Sequence, residues 1–146
     1  MYTEKRNFFR LKFDNYLIGK MAVTIIGDKV VNTEKSNILI ENIGPGGLKI
    51  MSDLTLPVEQ DVVFSIETKI LGEEVEVLGN IVWQKKLPQG INEYGIKMIT
   101  DEPSRDILVK LLMKLAARLR QGNFSYEDGS FTEDFYQFFK DNKKQV

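Results

Sequence analysis

The chain has 146 residues, of which 42% are hydrophobic and 28% charged, with a formal net charge of -1; this is the composition of one globular domain rather than of a disordered or membrane-embedded chain. It contains no cysteine and no histidine, which excludes disulfides, thiolate nucleophiles, the usual zinc sites and any serine-histidine or cysteine-histidine relay. The near-neutral balance also excludes a general nucleic-acid binder, which needs a surplus of basic residues to displace counterions, so any anion site has to be local.

The opening stretch Lys5-Arg6-Asn7-Phe8-Phe9-Arg10 lacks the apolar core of a signal peptide. No apolar run approaches the roughly 20 residues of a spanning helix, and the expected location is the cytoplasm. Residues 1–15 are read as an N-terminal ligand-binding arm, with Arg6 and Arg10 four residues apart. Arginine binds phosphates and purine edges bidentately and stacks on bases, so the pair suits a ligand offering both. From Tyr16 to Ile26, β-branched and aromatic residues predict a strand that ends at the turn Gly27-Asp28, with Val30 to Ile43 as its partner. The glycine-rich turn Asn42-Ile43-Gly44-Pro45-Gly46-Gly47 follows, and Gly47-Leu48-Lys49-Ile50 resumes extended structure. A long hairpin is predicted where Val62, Phe64 and Ile66 alternate, turn at Leu71-Gly72-Glu73-Glu74, and return through Val75, Val77, Gly79, Ile81 and Trp83 on one face. That alternation puts Trp83 in the core rather than on a ligand, and Gly79 and Gly95 at bulges or tight corners. Pro88-Gln89-Gly90 turns the chain into a last strand, Tyr94 to Ile99. Six or seven antiparallel strands within residues 16–121 favour a small barrel, because closing a sheet removes its exposed edges.

The period then changes. Asp101-Glu102-Pro103-Ser104 supplies a cap and a first-turn proline, and Leu108, Leu111, Leu112, Leu115 and Leu119 form one stripe of a helix that should end near Gly122. Lys110, Lys114 and Arg118 fall on another face, read as solvated surface. Residues 122–146 form an aromatic tail, in which Ser130-Phe131-Thr132-Glu133 resembles a capping box and Phe131, Phe135, Phe138 and Phe139 lie at helical spacing. A short helix folding back onto the barrel is expected there, with a docking surface as the alternative.

Two arginines four apart, a strand hairpin, Asn42-Ile43-Gly44-Pro45-Gly46-Gly47-Leu48, then Gly79-Asn80-Ile81-Val82-Trp83 and Tyr94-Gly95-Ile96 occur in an order that resembles a PilZ domain over roughly residues 5–115. The resemblance implies a mainly β fold, a six- or seven-stranded antiparallel PilZ-like barrel with a C-terminal α-helix, to which this chain adds a short aromatic helix. It also implies a bacterial receptor for cyclic di-GMP. In that family the pair matched by Arg6 and Arg10 clamps guanine edges and phosphates, and Lys5 beside it would add a point charge. Asn42 stands where the family has Asp or Asn, accepting from a guanine edge. Gly47 stands at its final glycine, where the missing Cβ permits positive φ and close approach of ligand to backbone. Gly44 departs from the family's usual Ser, removing a hydroxyl whose hydrogen bond is worth about 0.5–1.5 kcal/mol, less than the about 1.5–3 kcal/mol of each bond to a charged group.

The implied mechanism is an arm that orders over the barrel when the ligand bridges it, presenting a new surface to a protein partner in motility, exopolysaccharide or biofilm control. No cofactor, metal, nucleic-acid polymer or membrane insertion is expected, and self-association stays open. Two other readings remain beside it. One is a PilZ-like interaction module that has lost nucleotide binding, motivated by Gly44 and the phenylalanine stripe. The other is a hydrolase using Glu73, Glu74 and Glu76, against which stands their place on a hairpin, where carboxylates are ordinarily solvated; the expectation is therefore no enzyme.

Overall fold

The computed structural model describes residues 10–121 and 131–143. Eight strands and two α-helices are present among them: β1 (Leu11–Ile26), β2 (Lys29–Val30), β3 (Ser36–Ile43), β4 (Gly47–Ser52), β5 (Val62–Ile70), β6 (Glu73–Lys86), β7 (Asn92–Met98), α1 (Glu102–Gln121), β8 (Phe131–Thr132) and α2 (Phe135–Lys143). The sheet runs β2-β1-β3-β4-β7-β6-β5, and β1 pairs with β5 as well as β3, which closes a six-strand antiparallel barrel. β2 and β8 are short additions to β1. Closure is possible because β1 is long: Leu11 to Met21 face β3 and Gly19 to Ile26 face β5. At the overlap, a Cβ on Gly19 would lie 2.9 Å from the Glu67 carbonyl oxygen, so a larger residue would push β5 away.

The first strand begins at Leu11 rather than at Tyr16, so five residues assigned to the arm belong to β1. Its pairing with β3 shifts between Lys12 and Leu17, where the chain bulges opposite Glu41. The expected partner strand from Val30 to Ile43 is interrupted, because residues 31–35 leave the sheet and the Thr33 hydroxyl instead accepts from the Val23 amide at 2.8 Å. The β5–β6 turn is tighter than expected. It is Leu71-Gly72 alone, both at positive φ (52° and 79°), with Glu73 already paired to Ile70; such two-residue turns match the twist of the flanking strands.

Alternation along each strand fills the barrel with Leu17, Ile38, Ile40, Leu48, Ile50, Phe64, Ile66, Ile81 and Ile96, all at most 2% exposed. α1 closes one opening with Leu108, Leu111, Leu112 and Leu115. It starts where the sequence places it: Asp101 accepts from the Ser104 amide at 2.9 Å and Pro103 sits in the first turn, and it runs to Gln121, the last residue described before the tail. Lys110, Lys114 and Arg118 are exposed. The loop between β4 and β5 is pinned from inside by Tyr94, whose hydroxyl donates to the Leu54 carbonyl at 2.6 Å and accepts from the Leu56 amide at 2.9 Å.

The tail does fold back, but not as one capped segment. Phe131-Thr132 pairs with Leu17 and Tyr16 of β1, so Phe131 is strand rather than first helical turn. The cap is Asp134, whose carboxylate accepts from the Gln137 amide at 3.1 Å. α2 then lays Phe139, 2% exposed, on the outer barrel face against a cluster with Leu39, Met51 and Ile91, bordered by Tyr16, Ile18, Phe135 and Phe138. Tyr16 and Phe135 meet edge to face at 5.6 Å. The phenylalanine stripe is therefore mostly spent on intramolecular packing.

Candidate functional site

Beside α2, the same outer face carries the residues of the glycine-rich turn. Register places Asn42 of β3 opposite Lys49 of β4, Lys49 opposite Gly95 of β7, and Gly95 opposite Trp83 of β6. These four residues form one row across the sheet, and directly opposed residues in an antiparallel sheet share a face. The row above it pairs Gly47 with Lys97.

Arg10, the residue just before β1, reaches this surface from the chain's start. Its Nη1 donates to Asn42 Oδ1 at 2.7 Å. A Cβ on Gly47 would lie 3.3 Å from Arg10 Nη2 and would collide with the Ile96 carbonyl oxygen. Gly47 is thus required by space rather than by positive φ, which among the described glycines is found at Gly27, Gly72 and Gly90. The turn itself closes through the Gly44 amide, which donates to the Gly47 carbonyl at 2.9 Å, with Gly44 and Pro45 buried. Backbone thus braces the turn at the position where Gly44 offers no hydroxyl. Arg6 and Lys5 lie outside the described residues, four and five positions ahead of Arg10.

Trp83 reverses its expected place. It is 42% exposed, because the β6–β7 register shifts between Ile81 and Trp83 and inserts Val82 as an extra residue. A one-residue bulge changes the face of everything beyond it. Trp83 therefore points outward although Val77, Gly79 and Ile81 point in, and its indole lies over Gly95, where a Cβ would collide with the indole nitrogen and adjoining ring carbons. The run Ile81-Val82-Trp83 breaks strict alternation and is the signal in the sequence for this bulge. At Gly79 the reason for glycine is close approach: a Cβ would meet the Lys97 carbonyl oxygen at 2.6 Å.

Arg10, Gly46, Lys49, Trp83, Gly95 and Lys97 line a cleft of about 350 Å³, at the small end of the range for small-molecule sites. It offers a guanidinium fork, two ammonium groups and an exposed indole face, the set that suits an aromatic anion. A larger cleft of about 550 Å³ lies between β1, β5 and β6, but its Lys20, Lys35 and Lys69 are matched in number by Glu67, Glu74 and Glu76, Lys35 being held by Glu67 at 2.6 Å, and its lining has no aromatic side chain. Residue type and spacing along the chain do not mark Lys49, Trp83, Gly95 and Lys97 as ligand residues. They come from three strands, and only register brings them together.

Beneath the cleft, Lys49 Nζ lies 3.4 Å from Glu93 Oε2 and 4.0 Å from Glu41 Oε1. Burial first, then the neighbouring Glu93, push the Glu41 carboxyl up to about 7, with Lys49 and Lys12 acting in the opposite direction. The Tyr16 phenol is pushed up by burial and by both carboxylates. Glu73 and Glu74 are exposed, and Glu76 accepts from the Ser65 hydroxyl at 2.6 Å. They converge on no cleft holding an opposed pair of buried carboxyls, and no group of three or more potential metal ligands exists among the described residues.

The family model of the PilZ domain matches residues 4–114. No curated protein matches the chain. Among solved structures, the chain is similar to the PilZ domain of CeSA from a cellulose-synthesizing bacterium, with a TM-score of 0.50, 15% identity, and coverage of 74% of this chain and 98% of that one. It is similar also to the Bacillus subtilis inhibitor of motility MotI/DgrA, with a TM-score of 0.53, 13% identity, and coverage of 78% of this chain and 51% of that one, so it spans about half of that protein. At these identities the likeness concerns the fold.

Proposed function

Because the chain belongs to the PilZ domain family, we propose that it is a receptor for cyclic di-GMP which binds the dinucleotide in the cleft between Arg10 and Trp83. One observation carries the reading: Arg10 is held on Asn42 against Gly47, at the rim of a cleft whose other wall is an exposed tryptophan. A guanidinium that rests on a neutral carboxamide can exchange that partner for guanine O6 and N7 or for a phosphate, and bonds to charged groups are the stronger ones. Asn42 keeps an oxygen to accept from a guanine edge. Of the glycine turn, Gly46 lines the cleft, Gly47 leaves room for Arg10 beside the Ile96 carbonyl, and the buried Gly44 is the weaker point for want of a hydroxyl. Trp83 offers a base a stacking surface, worth about 1–3 kcal/mol for such contacts.

Arg6 and Lys5 supply further cations from the arm, which folds across the cleft when the dinucleotide bridges it to the barrel. The chain acts by this change of surface rather than by catalysis. Its output passes to a protein partner in motility, exopolysaccharide or biofilm control, within the cytoplasm. No described helix is long and apolar enough to cross a membrane. The interaction-module alternative loses one of its two supports, since Phe139 is buried against the barrel and Phe135 packs on Tyr16; Gly44 remains.

Calorimetric titration of cyclic di-GMP into the protein and into Arg6→Ala and Arg10→Ala, with guanosine monophosphate as specificity control and circular dichroism as folding control, tests the reading. Each truncation is expected to weaken binding by about 1.5–3 kcal/mol, roughly ten- to a hundredfold. A folded wild type that shows neither heat nor a melting shift at high ligand concentration would overturn it and leave the interaction module.

A further inference from the structure

The cations around the cleft are held differently. Arg10 rests on a neutral carboxamide, whereas Lys49 is shared by two carboxylates, Glu93 at 3.4 Å and Glu41 at 4.0 Å. Glu93 and Glu41 are only 11% and 18% exposed, while Lys49 is 33% exposed and lines the cleft. One ammonium against two carboxylates leaves an excess negative charge with little water to screen it. Glu41 Oε2 is moreover buried with no hydrogen-bond partner. A single proton on Glu41 answers both difficulties, because it removes the excess charge and makes the carboxyl a donor toward Glu93.

The charged and titratable groups around the pair come from every neighbouring strand: Lys12 and Tyr16 from β1, Lys49 from β4, Glu93 itself from β7, and from β6 the exposed Lys85, which stands opposite Glu93 in the register. α2 brings Tyr136 to the adjoining apolar cluster, and its Lys140 and Asp141 are exposed.

We propose that Lys49 is an additional phosphate-binding cation of this cleft, held by Glu41 and Glu93 while the site is empty, and that a bound phosphodiester takes it from them as Glu41 takes up a proton from solvent. The inference rests on the receptor reading and assigns that site its pH regulation. When the ammonium turns to the phosphate, the carboxylates lose their counter-charge, and two such groups in contact cannot both stay ionised. The empty pair releases its proton near pH 7, and the liganded pair at a higher pH. Below both values the proton is present with or without ligand, and affinity is constant. Between them binding needs a proton, so affinity falls with rising pH by up to about tenfold per unit for one proton. The ligand's phosphodiesters stay ionised throughout, and arginine does not titrate.

The test is calorimetry of cyclic di-GMP binding from about pH 6 to about pH 8.5, with runs near pH 7.5 in phosphate and in Tris, whose ionisation heats differ. For the wild type, Kd is expected to rise about tenfold across the window, and the heats in the two buffers to differ by proton uptake. Glu41→Gln is expected to bind with one affinity across the window and the same heat in both buffers; Glu93→Gln, which also removes the carboxylate pair, serves if the first variant does not fold. Lys49→Ala should weaken binding about tenfold or more at low pH, and Lys49→Arg should restore most of it. A flat wild-type profile with buffer-independent heat, a Glu41→Gln variant keeping the wild-type slope, or a Lys49→Ala variant of wild-type affinity overturns the inference and leaves the receptor reading standing. Absence of binding at every pH overturns both.

Discussion

Gly47 and Gly95 are glycines for different steric reasons, and their alanine variants should separate. At Gly47 the obstacle is a backbone carbonyl of the neighbouring strand, that of Ile96, with Arg10 on the other side. Neither strand can yield without disturbing the β4–β7 ladder, so Gly47→Ala is expected to cost about 1–3 kcal/mol of stability by overpacking and to lose binding together with it; a denaturant titration reads the first and calorimetry the second. At Gly95 the obstacle is a half-exposed indole that can swing into solvent. Gly95→Ala should keep its stability within about 1 kcal/mol and shift the emission of Trp83, the only tryptophan in the chain; an unchanged spectrum would contradict the stacked placement. Glu41 gives a prediction in pH. Its carboxyl titrates near 7 when folded and near its ordinary 4.5 when unfolded, so between those values the folded state holds more protons and stability falls as pH rises, levelling off above about 7. Glu41→Gln should therefore melt higher than wild type at pH 8 and close to it at pH 5, as thermal melts at the two values would show. None of this pairing was legible from residue type, since Glu41, Lys49 and Glu93 are separated along the chain and read individually as ordinary surface charges.

At the scale of elements, the two helices differ in how openly the sequence announces them. α1 has one acceptable start, and Asp101→Ala is expected to destabilise by about 1 kcal/mol through loss of the bond to the Ser104 amide. For α2 the sequence pointed to Ser130-Phe131-Thr132-Glu133, whereas Asp134-Phe135-Tyr136-Gln137, of the same spacing, supplies the cap in the structure. Tertiary pairing decided between them: Phe131 bonds to β1 opposite Leu17 and packs edge to face on Phe13 at 5.6 Å, so the helix cannot begin until the following cap. Phe139→Ala should cost about 3–5 kcal/mol if α2 docks on the barrel as described, a loss that chemical denaturation measures. A variant of wild-type stability would return the aromatic helix to the role of a docking surface. The β5–β6 turn offers a smaller test, since Gly72 at φ 79° predicts about 1–2 kcal/mol of destabilisation for Gly72→Ala.

For the molecule as a whole, barrel closure fixes the site while α2 adds a neighbour to it. The row Asn42-Lys49-Gly95-Trp83 abuts the row that α2 covers through Leu39 and Met51. A ligand that binds only the folded barrel stabilises it by mass action, about 2.7 kcal/mol at a hundred times Kd, so cyclic di-GMP should raise the melting temperature by several degrees and Arg10→Ala should abolish the rise at the same concentration. What the sequence determined alone was local: apolar alternation specified the strands, a cap and a leucine stripe specified α1, and the absence of histidine and cysteine removed most catalytic chemistry. The order of Arg6, Arg10, Asn42 and Gly47 pointed to the family. Tertiary structure alone decided register, and register decided the rest of the cleft. One extra residue, Val82, turned Trp83 from the core to the surface, and a second, Glu41 itself, is inserted in β3 between Ile40 and Asn42 beside Lys49 of β4. A bulge changes little in local composition but reverses the face of every residue after it, so which side chains meet across strands is settled only when the barrel closes.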